Sequence, residues 1–275
     1  MHLVSIKGKG RNAYVSTNYY RLPQPKYRAF YVLRRNFLVW RKLLGPALVL
    51  HFGEPLIYLL GLGLGLGHFV GDMGEVSYLA FLAAGIVASS ALMTASMEGT
   101  YSAFTRMVPQ QTYQAMLTTP INLDDIVAGE FLWCATKASM SSIAILTVAT
   151  LMGVVESYAA IFAIPIAFLC GLCFAAPAII MASCSPSYDF FNYYFTLFVT
   201  PSFVLCGVFY PTSILPEFLQ SIVYILPLTH AVELIRPLVL GQDVSNVVVH
   251  LSVIIAYTIV GFYIATVVVR KRLFV

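Results

Sequence analysis

The sequence predicts an all-α integral membrane protein with six transmembrane helices, an N-terminal amphipathic interface helix, and re-entrant helices between spans 5 and 6. Hydrophobic residues make up 59% of its 275 residues and charged residues only 10%, unlike the composition of soluble domains. Ten of the 16 Lys and Arg residues precede residue 43, and three more lie at positions 270–272. By the positive-inside rule both ends of the chain are expected to be cytoplasmic, which requires an even number of spans.

The first predicted element is an amphipathic helix over residues 26–44, which follows a polar segment over residues 1–25. At helical spacing, its apolar side chains fall on one face and its basic side chains on the other. The apolar set is Phe30, Leu33, Phe37, Trp40 and Leu44, and the basic set is Arg28, Arg34, Arg35, Arg41 and Lys42. Such a helix lies in the membrane interface beside lipid headgroups; a simple positively charged anchor is the alternative.

Six apolar runs are long enough to cross a bilayer, for which about 20 residues are needed. They lie approximately at residues 46–66, 78–97, 131–152, 159–181, 191–209 and 247–269. The alternating glycines of the first run permit close helix packing, and no strand precedes them as a dinucleotide-binding loop requires. Because six helices are few for a solute pathway, a homodimer with the pathway on its two-fold axis is the simplest assembly.

The segment over residues 209–241 carries prolines at positions 211, 216, 227 and 237. Proline removes a helical hydrogen bond and clashes with the preceding turn, so no unbroken piece is long enough to span. Broken backbone at membrane depth is tolerated only inside protein or beside a wet cavity. This segment is therefore predicted to form re-entrant helices on the outer side, at the mouth of a transport pathway.

One long cytoplasmic loop is predicted over residues 98–130, with a short helical patch over residues 110–117. Asn122, Asp124 and Asp125 can begin the helix after it, because their oxygens accept hydrogen bonds from free N–H groups and acids suit the helix dipole. The two aspartates could instead serve as a general acid and base. Helix initiation is the simpler interpretation.

Ionisable side chains inside membrane segments are candidates for function, because burying them is costly. Glu54 and Lys137 lie in the first and third predicted spans, where a structural contact between helices and a gating role both fit. Glu233 and Arg236 are three residues apart, a spacing that permits an ion pair within a helix. Four aromatic residues are candidates either for lining the pathway or for packing and the interfacial belt: Tyr193, Tyr194, Phe198 and Phe209.

Motifs of catalytic or metal sites are absent from the sequence, including HExxH, GxSxG and the phosphate loop GxxxxGK[ST]. Any ATP would therefore be hydrolysed by another polypeptide, and no cofactor or metal is expected in this chain. Cys170 and Cys173 form a CxxC inside a span, where small buried residues fit better than redox or metal chemistry. Nothing in the sequence indicates nucleic-acid binding. The sequence also contains no set of catalytic residues that would support an intramembrane enzyme.

Several segments, in the same order, make the chain resemble the type-2 ABC exporter permeases, and among them the nodulation-protein J branch. They are EPLIYLLGLGLGLG (54–67), SYLAFLAAGIVASSAL (77–92), YSAFTRMVPQQTYQAMLTTP (101–120), GEFLWCATKA (129–138), SPSYDFF (185–191) and LPLTHAVELIRPLVLG (226–241). The resemblance covers about residues 30–275, and residues 1–25 have no counterpart in it.

The resemblance implies a homodimeric, multi-pass permease of the bacterial inner membrane, bound to two ATP-binding cassette subunits that hold ATP and Mg. The interface helix and the loop after the second span would contact these ATPases. The residues implied in this coupling are Arg34, Arg35, Arg106, Gln110, Gln114, Met116, Leu117 and Thr119. The expected cargo is a lipid-modified oligosaccharide or glycolipid, and a multidrug exporter of the same fold is the alternative.

Overall fold

The computed structural model describes residues 19–42, 44–73 and 76–274, without the side chains at positions 44, 46–52, 54–55 and 72–73. Within these ranges the chain is a bundle of helices with one antiparallel two-residue hairpin, in which Asp72–Met73 pairs with Val76–Ser77. The predicted all-α class is confirmed. The predicted polar segment over residues 1–25 lies mostly outside the described residues.

The helices follow the order of the apolar runs. They are α1 (Ala29–Arg41), α2 (Leu44–Val70), α3 (Tyr78–Met97), α4 (Ala103–Met107), α5 (Thr112–Leu117), α6 (Leu123–Leu151), α7 (Ala163–Cys184), α8 (Phe191–Tyr194), α9 (Thr200–Leu205), α10 (Glu217–Val223), α11 (Pro227–Leu240) and α12 (Val247–Phe274). The π-helical turns Glu98–Ser102 and Phe195–Val199 join α3 to α4 and α8 to α9.

Among the described residues, four helices are long and apolar enough to cross a membrane: Tyr78–Met107, α6, Tyr158–Cys184 and α12. The pair α10 and α11, bent by 89°, makes a fifth if it is counted as one span. The bend is where prolines were predicted to break the helix. The predicted fifth span is divided by its π turn and ends at Leu205. The six-span count and the re-entrant arrangement therefore remain predictions.

The structure corrects the long loop predicted over residues 98–130. The helix that begins with α3 continues to Met107, and α6 begins at Leu123, so only residues 108–122 connect them. Glu98, Arg106 and Glu130, which fall within the predicted loop, instead lie on helices and contact one another inside the bundle. Asn122 begins α6 in a capping box with Asp125, which confirms helix initiation there.

Small residues let α3 lie at the centre of the bundle. Alanines on several sides of this helix are completely buried, because α3 packs against α6, α7 and α11. Glycines provide close approach elsewhere: a Cβ on Gly129 of α6 would lie 2.5 Å from Val32 Cβ and 2.8 Å from Ala29 O of α1. The packed face of α1 is thus Ala29, Val32 and Asn36, whereas Phe30 and Phe37 of the predicted apolar face stay exposed.

The two ends of the bundle differ. At one end, which we call the terminal end, Asp124 at the start of α6 accepts hydrogen bonds from Gln24 and from Arg270 near the end of α12. At the opposite end, the Glu156 N–H donates to Val239 O at 3.1 Å, beside the end of α11. The described N-terminal residues, α5 and the basic end of α12 therefore share one side of the molecule.

Candidate functional site

A network of four charged side chains lies inside the bundle near the terminal end. Arg106 binds two carboxylates, with Nη1 2.9 Å from Glu98 Oε1 and Nη2 2.5 Å from Glu130 Oε2. Lys137 Nζ lies 2.7 Å from Glu98 Oε2. Two cations and two anions cancel in formal charge, which is how buried charges are tolerated. We call these four residues the ion network.

The helices around the ion network supply neutral partners for its carboxylates. Trp133 Nε1 donates to Glu98 Oε1 at 2.9 Å, and Ser102 Oγ donates to Glu98 Oε2 at 3.1 Å. Asn36 Nδ2 of α1 donates to Glu130 Oε1 at 3.2 Å. Glu98 begins a π turn, a distortion that shifts the helical register and is frequent at functional sites. The ion network therefore links α1, the helix α3–α4 and α6.

Lys137 makes the contact between helices that was one of its two predicted roles, and a gating role is not tested by this contact. Arg106 was predicted to contact the ATPase. Its side chain is instead buried in the ion network, with 12% of its surface exposed. The sequence placed Arg106 in a loop because its partners Glu98 and Glu130 are 8 and 24 residues away, beyond any local pattern.

The helix α5 lies beside the ion network, and its exposed side carries polar residues. Tyr113 is its buried anchor, and burial raises the pKa of the Tyr113 phenol well above its ordinary value. Of the predicted coupling residues, Gln110, Gln114 and Thr119 are exposed, whereas Met116 and Leu117 are half-buried. On α1, Arg34 is exposed and Arg35 is half-buried.

A second cluster joins the chain segments at the terminal end. Asp124 Oδ1 accepts from Arg270 Nη2 at 2.6 Å, and Asp124 Oδ2 accepts from the Gln24 N–H at 2.9 Å. Arg270 Nη1 also donates to the carbonyl oxygens of Tyr19, at 3.0 Å, and Arg21, at 2.5 Å. This cluster holds the segment before α1 against α6 and α12. The sequence indicated helix initiation or acid–base chemistry for Asp124, and it did not indicate the contact with Arg270.

Replacing Asp124 with Asn is expected to destabilise the protein by about 3 kcal/mol, because it leaves the buried guanidinium of Arg270 without a counter-charge. The segment over residues 19–28 should then be cleaved faster by trypsin in limited proteolysis. Asp243→Asn, at an exposed carboxylate beyond α11, is the matched control and should change neither stability nor cleavage. Equal cleavage of the two variants would contradict the role assigned to Asp124.

Arg236 does not form the ion pair predicted with Glu233. Within the described chain its guanidinium lies 3.8 Å from the centroid of the Phe81 ring, and Nη2 donates to Gly207 O at 2.5 Å. No carboxylate lies within 4 Å of it there. Arg236 instead fastens α11 to α3 and to the turn at Gly207, whose φ of +80° favours glycine. This correction arises because the Arg236 side chain turns toward α3 rather than along its own helix.

The aromatic candidates for lining the pathway differ in how exposed their side chains are. Tyr194 is buried, its hydroxyl lies 3.1 Å from Ser96 Oγ, and its ring stacks on Phe198 at 5.5 Å between centroids. Tyr193 is 62% exposed, which fits a lipid-facing or pathway-facing position. Phe209 packs edge-to-face on Phe203 at 4.9 Å. Glu54 was the ionisable candidate in the first predicted span, and its side chain lies outside the described part of the chain.

Sequence reasoning missed a pair of buried histidines because they are 20 residues apart. His230 Nδ1 of α11 lies 2.8 Å from His250 Nδ1 of α12, and His230 Nε2 donates to Tyr224 O at 2.9 Å. The carbonyl acceptor requires a proton on His230 Nε2, so neutral His230 accepts from His250. The pair therefore fixes the bent segment against α12. Among the described residues, no three His, Cys, Asp or Glu side chains are grouped to hold a metal ion.

Comparisons with known proteins agree with this architecture. Residues 27–240 match the family described as ABC-2 type transporter. Nodulation protein J of Rhizobium leguminosarum bv. trifolii is 44% identical over 242 residues, which cover 88% of this chain and 92% of that protein. Nodulation protein J of Rhizobium meliloti is 41% identical over 252 residues, covering 92% and 96%.

A more distant relative is the inner membrane transport permease YadH of Escherichia coli, 22% identical over 231 residues that cover 84% of this chain and 88% of that protein. No solved structure matches the chain. The resemblance inferred from the sequence motifs is confirmed by the family match and by the relatives above 40% identity. The chain belongs to the ABC-2 type transporter family, as a multi-pass membrane permease of the nodulation protein J type.

Proposed function

We propose that this chain is the permease subunit of an exporter that moves a lipid-modified oligosaccharide or glycolipid across the bacterial inner membrane. ABC-2 permeases are membrane subunits rather than enzymes, and they generally work with an ATP-binding subunit. The similarity to nodulation protein J along most of the chain supports this class of cargo. In the proposed complex, two copies of the permease bind two ATPase subunits, which carry the ATP and Mg.

The proposed orientation places the terminal end of the bundle in the cytoplasm. This end carries the basic residues Arg270, Lys271 and Arg272 of α12, which the positive-inside rule favours there. The helix α5 lies at the same end, so an ATPase in the cytoplasm can reach it. The bent pair α10 and α11 then lies toward the outer side, where its turns can form an external gate.

The observation that carries the proposal is the position of α5. It is a short helix between two long apolar helices, it is exposed at Gln114 and Ala115, and it lies beside Arg106 and Glu130 of the ion network. A surface of this kind can transmit motion, because the buried Tyr113 side chain places α5 beside Glu130, whose ion pair with Arg106 joins the helix α3–α4 to α6. The coupling role of Arg106 is then to position α5 from within. The exposed residues Gln110, Gln114 and Thr119 provide the contact itself.

Replacing Gln114 with Glu should weaken binding of the ATPase subunit by about tenfold and reduce export in proportion, because an unpaired charge is placed in the contact. Binding is measured by co-purification of the ATPase with the tagged permease. Gln242→Glu, an exposed glutamine at the opposite end, is the matched control and should bind normally.

Full ATPase binding and transport by the Gln114→Glu variant would contradict the coupling assignment. The cargo is tested separately, with the wild-type permease and its ATPase reconstituted into vesicles. Transport of a fluorescent lipid-linked oligosaccharide is the expected result. Transport of hydrophobic drugs without transport of the glycolipid would favour the multidrug alternative.

A further inference from the structure

Arg236 lies between helices with most of its hydrogen-bond donors unused. A guanidinium carries five N–H donors, and in the described part of the chain only Nη2 has an acceptor, the Gly207 carbonyl oxygen at 2.5 Å. Its Nε atom is enclosed by protein and has no partner among the described residues. The buried cations Arg106, Lys137 and Arg270 each form an ion pair with a carboxylate instead. Arg236 is therefore the cation whose polar surroundings are incomplete in the described bundle.

The surroundings of Arg236 offer an aromatic ring and backbone rather than a counter-charge. The guanidinium lies 3.8 Å from the centroid of the Phe81 ring, a cation–π contact that occupies none of its N–H groups. Glu233, one helical turn away, attracts it without forming an ion pair. Part of the Arg236 surface stays exposed, so a molecule outside this chain can reach the guanidinium. An enclosed donor without a partner is costly, which points to an acceptor supplied from outside.

The turn that Arg236 holds connects the predicted fifth span to the bent pair α10 and α11. Gly207 follows α9, which ends at Leu205, and the prolines of the bent segment begin at Pro211. Arg236 itself lies on α11, so its bond to Gly207 O ties the two ends of the segment together. Hydrogen bonds exchange partners at a small net change in free energy, so another oxygen acceptor can replace Gly207 O. Such an exchange would release the turn.

Oxygen acceptors for Arg236 could come from the glycan of the cargo, from a lipid phosphate or from a free phosphate ion. The negative charge of Glu233 near the guanidinium disfavours a phosphate, and it does not disfavour the neutral hydroxyl oxygens of a sugar. Pairs of such oxygens match the planar fork of a guanidinium. Phe209 and Tyr210 follow the same turn and are half-buried, so they add ring surface for the apolar side of a sugar. These features favour the glycan.

We propose that Arg236 is a cargo-binding residue of the external gate, whose guanidinium donates to sugar oxygens of the departing glycan in place of Gly207 O. This inference rests on the proposed export of a glycolipid and adds the residue that recognises its glycan. A ligand shifts an equilibrium between two states only if it binds them differently, and the unused donors of Arg236 supply that difference. The gate then responds to the glycan, and a lipid without a glycan does not release the turn.

The first test uses the wild-type permease with its ATPase in detergent and the arginine reagent phenylglyoxal. Modification of Arg236 is followed by mass spectrometry of its peptide, and Arg41, exposed on α1, is the internal control. The oligosaccharide released from the lipid-linked oligosaccharide of the transport assay, at about ten times its dissociation constant, should slow modification of Arg236 about tenfold and leave Arg41 unchanged. Inorganic phosphate and phosphatidylglycerol should protect neither residue. Equal protection of Arg236 by phosphate or by phosphatidylglycerol would show a general anion site and overturn the proposal.

The second test separates glycan binding from bracing of the helices. Arg236→Lys keeps the charge beside Phe81 but loses the planar fork, so the glycolipid concentration for half-maximal export should rise about tenfold, with a smaller effect on the maximal rate. Phe81→Leu removes the ring and no donor, so it should lower the thermal midpoint and keep that concentration. An Arg236→Lys variant that loses thermal stability and keeps the wild-type concentration would show a brace only.

The protection measurement decides the matter whether or not the variants fold. If the oligosaccharide does not protect Arg236 although the wild type transports the glycolipid, the role of Arg236 is wrong and the proposed function stands. If the wild type does not transport the glycolipid, the proposed function and this inference are both contradicted.

Discussion

Replacing Glu98 with Ala is expected to destabilise the permease by about 3–5 kcal/mol, enough to prevent its accumulation in the membrane. The Glu98 carboxylate accepts from Arg106 at 2.9 Å, from Lys137 at 2.7 Å and from Trp133 at 2.9 Å. Its removal leaves Arg106 paired with Glu130 alone and takes away the carboxylate that Lys137 contacts. The excess positive charge has no solvent to stabilise it, since Lys137 is only 7% exposed.

This result is measured as the yield and thermal midpoint of the purified variant. Glu217→Ala removes an exposed carboxylate from α10 and should leave both unchanged. The double variant Glu98→Gln, Lys137→Met restores the charge balance of the network and should recover most of the lost stability. If the single and double variants were equally unstable, the charge explanation would be wrong and a steric one would be needed.

Replacing Gly85 with Ala should cost about 1–3 kcal/mol and reduce export, because it forces α3 away from the turn before the bent segment. A Cβ at Gly85 would lie 2.5 Å from Val208 O and 3.0 Å from Val208 Cα, which are backbone atoms. The neighbouring Gly207 is held by Arg236, so this turn has little freedom to yield. The change therefore strains the region where we place the external gate.

Gly65→Ala provides the matched control. A Cβ at Gly65 of α2 would have no atom within 4 Å, and alanine favours a helix by up to about 1 kcal/mol over glycine. This control should export normally and unfold at the same or a slightly higher temperature. Normal export and stability of Gly85→Ala would show that α3 and the turn are not in the close contact observed.

Local patterns predicted much of the fold. The amphipathic period of α1, the capping residues before α6 and the prolines around the bend of α10 and α11 each act within a few residues, so they are readable without a structure. The motifs around residues 101–120 and 226–241 were specific enough to indicate the family. The predicted helix boundaries were less accurate. A span predicted from hydropathy ends at the first charged residues, whereas the helices α3–α4 and α6 include charged residues.

The candidate site was only partly predictable. Lys137 was recognised as costly inside a span, but its partner Glu98 lies 39 residues earlier on another helix. Arg236 was paired with Glu233 by spacing, whereas its side chain contacts Phe81, 155 positions away in the sequence. The pair formed by His230 of α11 and His250 of α12 was missed for the same reason. The spacing of residues along the sequence shows which side chains are neighbours on one helix. It does not show which helices pack against each other.

The sequence by itself determined that this chain is a helical membrane permease, because hydrophobicity, helical period and positive charge at the ends act locally and additively along the chain. Only the tertiary structure decided which charges neutralise one another. The free-energy cost of burying a charge is offset by an opposite charge within a few ångströms. Such partners come from different helices, and only the packing of the helices brings them together. That is why Arg106, which lies between Glu98 and Glu130, belongs to the ion network.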